Sequence, residues 1–271
     1  MVASSRRVSA LSESAASQRV FVGAAALLFL ASATATVAWC TSMSLMGAMP
    51  MPGGWTMSMT WMRMPGQTWL AAAASFFAMW IVMMAAMMLP SLVPMLSRYR
   101  RELATTGVAN LGRLSVLAGL GYFGVWSLIG AAVFPFGTAL ATLEMRQPAV
   151  ARGVPLAASV VVLIAGLLQF SAFKARHLAC CRDGAPHDAA VPVSGLGALR
   201  LGLRFGLHCS YCCAGLMAIL LVVGVMDLRV MALVTAAITV ERFAPNGEFA
   251  ARAIGVVSVA AGAWLIARAI G

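Results

Sequence analysis

The residues best equipped for chemistry are sulfur-bearing and fall in two segments. His208-Cys209-Ser210-Tyr211-Cys212-Cys213 opens a long apolar run, and the stretch from Met43 to Met95 holds fourteen of the nineteen methionines. Thiolate, thioether and imidazole are soft or borderline ligands that suit Cu(I), Zn or iron–sulfur chemistry. On a helix, Cys209, Cys212 and Cys213 stand at i, i+3 and i+4 and share a face. Their sulfurs can therefore converge on one ion, and His208 can add a nitrogen. With the apolar run starting near Phe205, this trio is expected in the first turn of a helix, where the N-terminus favours thiolate. Cys180 and Cys181 lie just upstream in a basic stretch and are candidates to fold over the same site.

The methionines pose a second question. Met43, Met46, Met49 and Met51 precede Gly53-Gly54, and Met57, Met59, Met62 and Met64 follow it. Thioethers cannot form disulfides, so M-x-M and M-x-x-M spacing suits capture of Cu(I) where thiols would oxidise. Packing of Met and Trp at a lipid surface explains the same composition. Beyond the loop, Met79, Met83 and Met87 recur every four residues, with Met84 and Met88 on the next stripe. A methionine stripe serves equally as helix packing or as a ligand ladder.

These residues must be positioned by membrane helices. The chain has 271 residues, 62% of them hydrophobic and only 10% charged, with a mean hydropathy of +0.91. Soluble domains carry about 25% charged residues. Several apolar runs approach the ~20 residues that span a bilayer core. The runs are rich in Ala, Leu and Gly without period-two alternation, so the expected fold is all-α, a polytopic transmembrane helical bundle. Seven spans are expected, near 20–40, 68–96, 114–140, 154–173, 205–226, 230–241 and 252–270, or six if the short segment 230–241 is re-entrant. Pro135 is expected to break the third span, and Pro90 and Pro94 to kink the second.

Residues 1–19 read as a polar cytoplasmic tail, and 20–271 as one membrane domain. That domain carries a Met-rich outer loop at 41–67 and a Cys-containing inner loop at 174–204. The first apolar run reads as a retained helix rather than a signal peptide, being long for an h-region. With the N-terminus inside, fourteen of the nineteen Lys and Arg residues fall on the cytoplasmic side. That distribution explains the net charge of +11 without nucleic acid, for which no glycine-rich phosphate loop or basic–aromatic array is present. No motif for hydrolysis or ATP use occurs, so an enzyme is the less favoured reading. Gln169, Asp227 and Glu241 are expected near interfaces in capping or snorkelling roles.

Three segments resemble a bacterial family described as predicted metal-binding integral membrane proteins. Trp80 to Ser91, continuing through Pro94-Met95, is similar to its methionine–proline signature. Gln169 to Lys174, leading to Cys180 and Cys181, resembles its basic cysteine-containing loop. Gly206 to Cys213 through Leu216-Met217, with Gly224-Val225-Met226 and Glu241, resembles its C-x-x-C-C signature. The resemblance spans about residues 75–245 and implies metal binding in a bacterial inner membrane. The resulting expectation is a multi-pass protein that binds a soft transition metal, most simply copper as Cu(I). It would take the ion at the outer Met loop, Met83 and Met87, and hold or deliver it at the inner cysteines. Its partners would be the lipid bilayer, the ion and a membrane or soluble metal-delivery protein. A thiol–disulfide redox carrier using Cys209 and Cys212, or a non-catalytic subunit of a larger assembly, also fits the residues.

Overall fold

The computed structural model describes residues 2–45, 47, 49–63, 66–106, 108, 110–183 and 191–270, with side chains from residue 16 onward except Asp183. Met46, Met64 and His187 lie outside the described residues. The described chain forms eight α-helices: α1 (Val2–Leu45), α2 (Trp69–Thr105), α3 (Leu111–Arg146), α4 (Pro148–Leu168), α5 (Ala172–Asp183), α6 (Gly195–Val223), α7 (Leu228–Phe243) and α8 (Gly247–Ile270). Six of them, all except α5 and α7, are long and apolar enough to cross a membrane. The protein is an all-helical bundle of the polytopic membrane kind. Apolar side chains such as Leu27, Leu120, Leu128, Leu233 and Val257 point outward, as they must where lipid is the solvent.

Several expected boundaries shift. The polar N-terminal segment is helical from Val2. Pro135 does not break α3, and α2 continues through Pro90 and Pro94. A bundle interior tolerates such prolines because neighbouring groups compensate the freed backbone. The basic stretch after span four is not a loop: Ala172–Asp183 is a helix rich in Ala, Lys, Arg and Leu, all good helix formers. Helix α6 starts at Gly195, capped by Ser194 accepting from Gly197 N, ten residues before the apolar run begins. Helix α7 has 16 residues, a length of about 24 Å at ~1.5 Å per residue. Its N-cap is Asp227, whose carboxylate accepts from the backbone N–H groups of Arg229 and Val230, in the capping role expected of it.

The Met-rich segment contains a small antiparallel hairpin, β1 (Met49–Met51) and β2 (Trp55–Met57), with Met49 opposite Met57 and Met51 opposite Trp55. Its loop is Pro52-Gly53-Gly54, where Gly53 and Gly54 take φ of 102° and 76°, values that side-chain-bearing residues rarely adopt. Met51 and Met57 face inward and pack against Ala141 of α3 and Ala151 of α4. Trp55 Nε1 donates to the Ala151 carbonyl at 2.8 Å, so the hairpin is seated on the α3–α4 corner.

Helix α2 is the central element. In its most apolar stretch 61% of residues are buried, against 11% in α1 and α8. The arrangement around it depends on glycine contacts. Gly202 of α6 lies against the Ala118 backbone of α3, Gly121 against Leu199 and Gly206 against the Tyr122 carbonyl. Gly202 and Gly206 form a G-x-x-x-G pair, which lets two backbones approach closely and gain van der Waals contact where no hydrophobic driving force is available. Helices α4 and α8 repeat the device, with Gly166 on Val259 and Gly262 on Leu163. At one end of the bundle Arg100 of α2 ties α1 to α3, donating to Ser17 Oγ at 2.8 Å and Ser115 Oγ at 3.1 Å.

Replacing Gly202 with Val should place methyl groups inside the α3 backbone and destabilise the bundle by at least about 2 kcal/mol, the upper range for overpacking. Gly124, which has open space around it, should accept Ala with little effect. Thermal aggregation of the two variants in detergent checks the contrast.

Candidate metal centre

The cysteine face predicted from spacing is present, but not at a helix start. Cys209 is fourteen residues after Gly195, the first residue of α6, so the helix N-terminus is more than 20 Å away at ~1.5 Å per residue. The N-terminal field, which fades within the first turn, does not reach these thiols. What surrounds them instead is a set of side chains from five helices. Cys209, Cys212 and Cys213 are almost fully buried, at 1%, 2% and 0% exposure.

Cys209, Cys212 and Cys213 neighbour one another on α6, and Cys181 of α5 lies beside Cys212. Four thiols thus lie together, with Cys181 of α5 against the α6 trio. Cys180 sits half-buried beside it on α5. Among the described residues no cysteine is in a disulfide. Met88 of α2 brings its Sδ to 3.9 Å from Cys209 Sγ, adding a thioether to the group. Tyr122 of α3 shares a 2.9 Å hydrogen bond with Cys209 Sγ, a contact made possible because Gly206 lets α6 close on the Tyr122 backbone. Arg242 of α7 donates from Nη2 to Cys209 Sγ at 2.9 Å and to Cys213 Sγ at 3.5 Å.

Beneath the thiols lies a buried ion pair. Lys174 Nζ donates to Glu241 Oε2 at 2.6 Å and to the Cys212 carbonyl at 2.7 Å, and Gln169 Nε2 donates to Glu241 Oε1 at 3.0 Å. Glu241 is 1% exposed and Lys174 5%. The capping or snorkelling role expected of Glu241 and Gln169 is therefore replaced by a buried network that anchors α4, α5, α6 and α7 to one another. Arg182 completes the anchor by donating to the carbonyls of Glu241, Arg242 and Pro245 at the end of α7.

His208 turns away from the cysteine face, because adjacent residues on a helix point in different directions. Its Nδ1 lies 3.2 Å from Nδ1 of His177 on α5, with Tyr211 and Phe173 packed against the His177 ring. Burial, with His208 and Arg176 nearby, holds the His177 imidazole below its ordinary value. That favours the neutral ring able to offer a lone pair. His177 and Cys181 are four residues apart, as are His208 and Cys212, so the imidazole pair and the Cys181–Cys212 pair form two rungs one turn apart on both helices.

The methionines divide into two groups. Met79, Met83, Met84, Met87 and Met88 are all buried in the main core, the last at 0% exposure, and only Met88 is in sulfur contact with a cysteine of this face. At the other end, Met51 and Met57 are packed inward, while Met43, Met49, Met59 and Met62 are half-buried. Between the two groups Trp61 packs tilted against Phe76 at 5.4 Å, and Phe76 stacks on Trp80 at 5.8 Å and contacts Phe134 at 5.1 Å. A further sulfur pair, Cys40 Sγ and Met226 Sδ at 3.8 Å, joins α1 to the α6–α7 turn.

Among the described residues, no three His, Cys, Asp or Glu side chains form a ready-made metal cage. The donor set nevertheless has a clear chemical preference. It offers thiols and a thioether, and the one carboxylate at the site among the described residues, Glu241, is taken by Lys174. Such donors suit a soft ion and not the hard cations bound by carboxylates. Tyr122, Met88, Lys174, Arg242 and His177 carry the site without having been singled out as ligands from spacing. The signal for Lys174 and Arg242 was a charge adjoining an apolar run, which the loop-charge rule absorbs as topology.

The ion pair generates a test. Lys174→Met alone should strand a buried carboxylate and cost about 3–5 kcal/mol, whereas Lys174→Met with Glu241→Leu should restore most of that loss. Denaturation midpoints of the two variants, compared in one detergent, check whether the pair acts as a unit.

No curated protein and no solved structure matches the chain. A family described as PpoB2, copper chaperone, matches residues 77–265, a range that contains α3 to α7 entire and every side chain of the thiol cluster and the ion pair. That match covers well over half of the 271 residues, and it takes in the helices whose packing brings four thiols and a thioether together. The chain belongs to the PpoB2 copper chaperone family.

Proposed function

We propose that this protein binds Cu(I) at the buried cluster of Cys181, Cys209, Cys212 and Cys213 and receives or delivers it through the membrane. The observation that carries the reading is the convergence of four thiols and the Met88 thioether inside an apolar bundle. Thiolate and thioether are soft donors that suit Cu(I). Membership of a copper chaperone family supports the identity of the ion. Cys180, half-buried on the same short helix, and the His177–His208 pair lie where an ion would enter or leave the cluster from the α5 side.

The half-buried Met43, Met49, Met59 and Met62 would take the ion at the hairpin end, with Met46 and Met64 belonging to the same stretch of sequence. Met83 and Met87 line the core between the hairpin and Met88. The bias of Lys and Arg supports a cytoplasmic N-terminus, the hairpin outside and the cysteines toward the cytoplasm of a bacterial inner membrane. On this reading the ion moves inward, from thioethers that tolerate an oxidising exterior to thiols that stay reduced within. A soluble or membrane-bound acceptor would then collect it.

Replacing Cys209 and Cys212 together with Ser should abolish copper binding while leaving the fold intact, since Ser nearly conserves volume. Copper quantified after anaerobic purification decides the matter, and an undiminished copper content would refute the reading. Loss of an internal disulfide, detected by thiol counting, would instead favour redox work.

The hairpin methionines separate by burial. Met49, Met59 and Met62 changed to Leu should impair copper accumulation in cells, because a volume-conserving swap removes only the sulfur. Met51 and Met57 changed to Leu should leave accumulation unchanged and cost less than about 1.5 kcal/mol each, as packing residues do. Equal copper uptake by both sets would deprive the hairpin of a ligand role.

A further inference from the structure

Among the described residues, the thiol cluster contains one cation more than it has carboxylates. Lys174 and Glu241 neutralise each other at 2.6 Å. Arg242 has no carboxylate partner among the described residues: the two ion pairs present are Lys174–Glu241 and Glu248–Arg252. Its Nη2 is directed at the sulfurs of Cys209 and Cys213, and its Nε is closed off with no hydrogen-bond partner. A guanidinium does not deprotonate in a protein, so the site carries a fixed positive charge. An uncompensated charge in such surroundings is costly, and the occupant of the site must supply the balance.

Consider what different ions would become there. Metal-bound cysteine is thiolate. A monovalent ion held by Cys209 and Cys213 forms a unit of charge −1, which Arg242 neutralises. A divalent ion on the same two thiolates forms a neutral unit and leaves the guanidinium uncompensated. A divalent ion reaches −1 only by taking a third thiolate, beyond the two sulfurs that Arg242 touches, and four thiolates give −2, which overshoots a single cation. We propose that Arg242 is the residue that selects for a monovalent soft ion, by requiring a bound unit of charge −1 on Cys209 and Cys213. This inference rests on the copper reading above. It adds that softness of the donors alone does not choose the ion, since thiolates also take zinc and other divalent ions. Tyr122, sharing a hydrogen bond with Cys209, has an O–H that can be donated to a thiolate sulfur, which leaves the charge count unchanged.

Ag(I) and Cd(II) provide the probe, because both are soft d10 ions with a strong preference for thiolate and they differ in charge. Anaerobic competition titrations on the full-length protein in detergent micelles should show Ag(I) displacing Cu(I), with Cd(II) failing to do so at equal concentration. Arg242→Gln should narrow the preference for Ag(I) over Cd(II) by about 100-fold, the scale of losing one buried charge interaction. Arg242→Lys, which keeps the charge, should retain most of it. Equal affinity of the parent protein for the two ions would overturn the role of Arg242, and this measurement needs no variant to fold. An unaltered ratio in a folded Arg242→Gln protein would overturn it as well. Failure of the parent protein to bind Cu(I) or Ag(I) at all would strike the copper reading itself, a result distinct from the other two.

Discussion

A charge inside an apolar bundle cannot be left without a counterpart, and the arrangement around the thiols follows from that constraint. Lys174 and Glu241 come from different helices, and satisfying them requires α5 and α7 to dock on α6 at one depth. Gln169 at the end of α4 supplies the second carboxylate oxygen with a donor, and the Cys212 carbonyl gives the ammonium a second acceptor. The same docking delivers Arg242 to two sulfurs and Cys181 to a third. The polar network thus sets the register in which the ligand-bearing helices meet. Apolar packing alone, between helices rich in Ala and Leu, would permit neighbouring registers at similar energy.

Glycine supplies the second requirement, closeness. Tyr122 reaches Cys209 because the α3 and α6 backbones meet at Gly202 and Gly206, where any side chain would hold them apart. On the opposite flank Met88, unbranched and fully buried, fills the space toward Cys209 with a sulfur that can serve as packing or as donor. Rigid elements hold the thiols on one side, and an adaptable side chain faces them on the other.

Much of this was legible in the sequence, and the parts that were not share a cause. Composition and pattern dictate a helical membrane bundle, because long apolar runs without period-two alternation exclude the closed barrel, the other architecture that satisfies the backbone in lipid. The shared face of Cys209, Cys212 and Cys213 follows from helical spacing and is borne out. Its location in the first turn is not, since hydropathy marks where a helix becomes apolar and α6 begins earlier, with Arg200 and Arg204 already helical. The α5 helix was hidden in the same way: its Lys, Arg and His residues read as a loop, although they are compatible with a helix. Glu241 and Lys174 lie 67 residues apart and their pairing is a tertiary event that no local pattern announces. His177 and His208 likewise meet only through the crossing of α5 and α6.

The different seating of the methionines has a chemical consequence of its own. Oxidation turns a thioether into a polar sulfoxide, and it proceeds where an oxidant can reach the sulfur. Met49, Met59 and Met62 are accessible at the hairpin, whereas Met83, Met87 and Met88 are sealed in the core behind Trp61, Phe76 and Trp80. Damage therefore falls first on side chains at the surface, where a sulfoxide is solvated and the hairpin remains pinned by Trp55 on Ala151. A sulfoxide at Met88 would place a strong dipole against Cys209 in a closed interior. The fold keeps the thioethers nearest the thiols deep and leaves those most open to oxidation at its surface.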